Sequence, residues 1–62
     1  MKKIKCIIND EVTECKLIED MGFQGGVYVK AVEDKEGIVR VVQKYSGDRL
    51  FRLRTVEERF GN

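Results

Sequence analysis

The 62-residue sequence predicts an all-β domain, a small five-stranded antiparallel barrel or a strongly curved sheet, ending in a short C-terminal helical turn. Three observations predict it. Apolar residues recur at alternate positions in several short segments, the mark of strands with one buried face. Turn and loop residues punctuate those segments at Asn9-Asp10-Glu11, Glu19 to Gly26, Glu33 to Gly37 and Ser46 to Asp48. The chain is one domain, residues 1–62, and so short that it buries only about 60% of its unfolded surface, so most apolar residues must serve one core.

The first strand is Lys3 to Ile8, with Ile4, Cys6 and Ile8 on one face. Asn9-Asp10-Glu11 is turn chemistry, because Asn and Asp tolerate left-handed backbone. A second strand runs from about Val12 to Ile18, with Thr13, Cys15 and Leu17 sharing a face. A four-residue loop sets Cys6 opposite Cys15, and a two-residue Asn9-Asp10 loop sets Cys6 opposite Thr13. Both put the two thiols on the buried side. Glu19 to Gly26 interrupts the alternation and reads as a loop, with a residue at positive φ or a β-bulge leading onward. Met21 and Phe23 are expected to tuck under it and close one end of the core. Its glycines precede a strand rather than a helix N-terminus, which argues against a phosphate cradle.

The third strand is Val27 to Val32. The charged turn Glu33 to Gly37 then pairs Val32 with Ile38, Lys30 with Arg40 and Tyr28 with Val42. In the segment Gly37 to Arg54, Val39, Val41, Tyr45, Phe51 and Leu53 fall on odd positions, and Arg40, Lys44, Arg52 and Arg54 on even ones. A two-residue Gly47-Asp48 turn would put Phe51 and Leu53 on the basic side. A three-residue turn, Ser46 to Asp48, keeps the faces separate and pairs Val41 with Leu53. The second is expected, since burying a large apolar side chain is worth roughly 1.5–3 kcal/mol and strand propensities differ by about 1 kcal/mol. Thr55 to Gly61 carries capping-box spacing, Thr55 to Glu58, and predicts the helical turn.

Strand number and length match the outline of SH3-like or OB-like small barrels, an architectural analogy that carries no function. Tryptophan and proline are absent, and an aromatic groove for proline-rich ligands is not evident. No apolar run approaches the roughly 18 residues of a membrane span. The opening MKKIKCIIND is too short in its apolar part for a signal core, so a cytoplasmic location is expected.

Catalysis is poorly supplied. There is no histidine, and Ser46 has no evident base, so the reading is non-enzymatic. Two cysteines supply half of a structural zinc site, and neither a metal nor a cofactor is expected. Cys6 and Cys15 read as small buried hydrophobes.

Net charge is only +1, but its distribution is uneven. Residues 1–37 carry six lysines against eight carboxylates, and residues 38–62 carry five arginines and Lys44 against three carboxylates. The expected strand pairing gathers Lys30, Arg40, Lys44, Arg52 and Arg54 with Tyr28 on one carboxylate-free face. Cations that track phosphates beside a ring that stacks a base suit single-stranded nucleic acid, RNA first. The rival is a protein-interaction or assembly subunit, a homodimer among the options, using a free strand edge or the same face through Val42 and Leu50.

Overall fold

The computed structural model describes residues 2–54, and the expected helical turn over Thr55 to Gly61 lies outside them. Five strands follow in order: β1 (Lys3–Ile8), β2 (Glu11–Gln24), β3 (Val27–Glu33), β4 (Val39–Tyr45) and β5 (Phe51–Leu53). Each pairs with the next in antiparallel fashion. β5 then returns beside β1 in parallel, Cys6 opposite Phe51 and Ile7 opposite Arg52, and closes a barrel. The all-β, five-stranded barrel is as the sequence predicts.

The first turn takes the two-residue form. Asn9 and Asp10 both have positive φ, 54° and 64°, so Ile8 pairs with Glu11 and Cys6 with Thr13. Positive φ at both central residues matches the right-handed twist of the flanking strands, and Asn and Asp tolerate it best after glycine.

β2 corrects the expectation of a loop at Glu19 to Gly26. The strand runs on to Gln24, with register breaks between Leu17 and Glu19 and between Asp20 and Phe23. Gly22 supplies the positive φ of the second break, and Gly25-Gly26 alone makes the turn. Beyond Glu19 this strand has left β1. With the start of β3 and the end of β4 it forms a three-stranded ribbon that projects past the barrel. Met21 and Phe23 therefore do not close the core, and Phe23 is 60% exposed.

The pairing of β3 with β4 is offset by two residues from expectation. Lys30 faces Val42, Val32 faces Arg40 and Tyr28 faces Lys44. Asp34 sets this offset by shaping the turn. Its Oδ1 accepts the N–H groups of Glu36 and Ile38, both at 2.9 Å, and its own N–H donates to the Ile38 carbonyl at 2.9 Å. Residues 34–38 thus turn around one carboxylate, which places Val39 opposite Glu33.

The largest correction is at the last turn. Val42 pairs with Leu53 and Gln43 with Arg52, so Phe51 and Leu53 share a face with Lys44, not with Val41. Val42 is 0% exposed, and Val39 and Val41 are 61% and 39% exposed. The even face of β4 is the inner one. The barrel core is Cys6, Ile8, Cys15, Val32, Val42 and Phe51, with Ile4, Leu17 and Leu53 against it; Val27 and Val29, on the other face of β3, are buried as well. Lys and Arg fit at the two mouths of the barrel, with their stems inside and their charges at the rim.

Candidate nucleic-acid interface

The inner face of the ribbon continues the barrel core into solvent. Phe51, buried, is its floor. The Lys30 and Lys44 ammonium groups each lie 5.4 Å from the Phe51 ring centroid, and Lys44 Nζ lies 5.8 Å from that of Tyr28. Phe23 pairs across strands with Tyr28, their ring centroids 4.9 Å apart and tilted by 60°. Tyr28 thus has one ring against it and an ammonium over it. Phe23, Tyr28 and Lys44 are cross-strand neighbours in one row that leads to Phe51, and Lys30, two residues along β3 from Tyr28, lies in the next row opposite Asp20.

The six residues named from sequence do not form one surface. Tyr28, Lys30 and Lys44 come together. Arg40 is on the same side of the sheet but at the opposite mouth, where its Nε donates to Asp34 Oδ2 at 2.6 Å. Arg52, between Phe51 and Leu53 on β5, points to the outer face, and Arg54 follows the end of the strand. Arg52 is exposed beside Gln43 and Ile7, and the Arg54 N–H donates to the Val41 carbonyl at 2.9 Å. Arg54 Nη1 is shielded from solvent with no hydrogen-bond partner among the described residues.

The face is not free of carboxylates either. Asp20 Oδ2 lies 2.9 Å from Lys30 Nζ, and Gly22 N–H donates to Asp20 Oδ1 at 3.0 Å. The Lys30 ammonium, and then the Gly22 N–H, hold the Asp20 carboxyl below its usual range. Asp34 is lowered in the same way, first by Arg40 and then by the Ile38 N–H. Val42, expected at the centre of an apolar docking patch, is sealed in the core.

Phe23, Phe51 and Asp20 are the residues that sequence reasoning missed. The signal was present. Read as a two-residue hairpin turn, Gly25-Gly26 pairs Gln24 with Val27 and Phe23 with Tyr28, as observed.

Cys6 and Cys15 are free and buried in the barrel. Burial, and then the neighbouring Cys15, push the Cys6 thiol up to about 12, so it holds its proton at neutral pH. Among the described residues, no group of three or more His, Cys, Asp or Glu is placed to hold a metal ion, and no helix is long and apolar enough to cross a membrane.

Comparison of the chain with protein-family models, curated proteins and solved structures finds no match.

Proposed function

We propose that this protein is a non-enzymatic module that binds single-stranded nucleic acid, RNA in the first place, on the inner face of the ribbon. One observation carries the reading: three aromatic rings and two ammonium groups lie together on one surface, and the ring farthest from the core, Phe23, is the most exposed of the three. Single strands are held where bases stack on rings and cations follow the phosphates. Phe23 takes a base, Tyr28 braces Phe23 from the neighbouring strand, and Lys44 takes a phosphate from a position fixed between two rings. The site is smaller than the five-cation face read from sequence, because Arg40 is engaged by Asp34, Arg52 lies on the other side, and Arg54 follows the end of β5 with its Nη1 buried. We place the protein in the cytoplasm, where free thiols such as Cys6 and Cys15 persist.

Anisotropy titrations with labelled single-stranded oligonucleotides test the reading. Wild type binds at low salt and weakens steeply as salt rises, as phosphate contacts require. Phe23→Ala lowers affinity roughly 5- to 150-fold, the effect of losing one stacked base at about 1–3 kcal/mol. Lys44→Glu lowers it further, and Arg52→Glu changes it less than about twofold at the salt of the cell, where charges off the site are screened. Absence of binding at low salt, or equal losses from Arg52→Glu and Lys44→Glu, overturns the proposal. Salt-insensitive capture of a protein would instead favour the assembly reading.

A further inference from the structure

We propose that Asp20 is a resident anion in the phosphate subsite of this face, occupying Lys30 until a phosphodiester group displaces it. The inference rests on the nucleic-acid reading and adds to it a residue that sets affinity by competing with the ligand.

The geometry supports the exchange. Lys30 is held from below by the Phe51 ring, 5.4 Å from Nζ, and its side chain is only 19% exposed. Its ammonium is therefore fixed in place and partly desolvated, a costly state for a cation without an anion beside it. Asp20 supplies that anion at 2.9 Å from the solvent side, with its own side chain 60% exposed. Asp20 belongs to the same irregular stretch of β2 as Phe23, and its Oδ1 accepts the Gly22 N–H at the register break between them. One local distortion thus presents the exposed ring and places a carboxylate over the neighbouring cation. A strand whose base stacks on Phe23 brings its phosphate toward this pair. Lys30 then exchanges one anion for another, and Asp20 turns to water while keeping its bond to Gly22.

This exchange has a signature that a purely structural ion pair lacks. A lysine that meets phosphate normally releases a condensed counterion, and each such contact on a single strand contributes about −0.7 to the slope of log affinity against log salt. In wild type, Lys30 is already neutralised by a carboxylate of its own chain and adds little to that slope. Asp20→Asn keeps the Oδ1 acceptor for Gly22 and removes the charge. The expected result is a threefold to tenfold gain in oligonucleotide affinity at low salt, with a slope steeper by about 0.7. Lys30→Met weakens binding, and adding Asp20→Asn to it gives no further change. Glu11→Gln, which removes an exposed carboxylate at the β1–β2 turn, leaves the slope as in wild type. Circular dichroism on each variant confirms that the barrel is intact. If wild type binds and Asp20→Asn binds equally or more weakly with an unchanged slope, the competition is refuted and the nucleic-acid reading stands. If neither protein binds at low salt, both fall together.

Discussion

At the scale of single residues, the side chains that organise this molecule are carboxylates and thiols as much as hydrophobes. Asp34 is the clearest case. It turns residues 34–38, fixes the β3–β4 offset and holds Arg40 at the barrel mouth, all through one nearly buried carboxylate. Its folded pKa is lowered from 3.8, so its contribution to stability is present above that value and is lost as pH falls through the lower, folded pKa. Asp34→Asn should therefore lower the urea midpoint clearly at pH 7, and the wild-type and variant midpoints should converge as pH drops below 3.8. A constant gap down to acid would show that the carboxylate charge is not what matters. The thiols give a second check. With Cys6 pushed up to about 12 and both sulfurs buried, labelling by a thiol reagent at pH 8 should proceed only through opening of the barrel and speed up in sub-denaturing urea.

At the scale of elements, turns decide which face is which. Asn9-Asp10 holds two non-glycine residues at positive φ. Asp10→Gly gives the Asn-Gly pair that this turn favours and should stabilise the protein by about 0.5 kcal/mol, whereas Gly26→Val, at φ 90°, should cost about 1–3 kcal/mol; urea denaturation measures both. This is also where the sequence was readable and where it was not. The spans of β1 and β3 follow directly from alternation, and the burial of Cys6 and Cys15 follows from either turn length considered. The inner face of β4 did not follow. Its outer side carries Val39 and Val41 and its inner side Arg40 and Lys44, so a count of apolar residues selects the wrong side. Burial depends on position along the barrel axis as well as on side: Val42 sits at the waist and Lys44 at the rim. Strand pattern reports the side alone. The aromatic end of the site was hidden for a related reason, because a bulged strand containing glycine looks like a loop until its partner strand is known. Tyr28, Lys30 and Lys44 survive from the sequence reading, and Asp20, Phe23 and Phe51 come from the fold.

At the scale of the whole molecule, stability and recognition meet in β5. This strand has three residues, pairs with β4 on one side and β1 on the other, and through Phe51 contributes the largest apolar side chain of the core. The same ring carries both ammonium groups of the binding face. Removing it does two kinds of damage that a graded substitution can separate. Phe51→Ala should cost about 3–5 kcal/mol, the usual loss for a buried aromatic, and a domain this small has little more than that to lose. Its barrel should therefore open, with loss of the β-sheet signal in circular dichroism and fast thiol labelling. Phe51→Leu refills much of the volume without a π-face. Its sheet signal and cooperative unfolding should persist with a modestly lower midpoint. Lys30 and Lys44, having lost the ring that attracts and orients them, should bind oligonucleotide several-fold more weakly. If Phe51→Leu is folded and binds as tightly as wild type, the ring serves the core alone, and the ligand-facing part of the site reduces to Phe23, Tyr28 and the two ammonium groups.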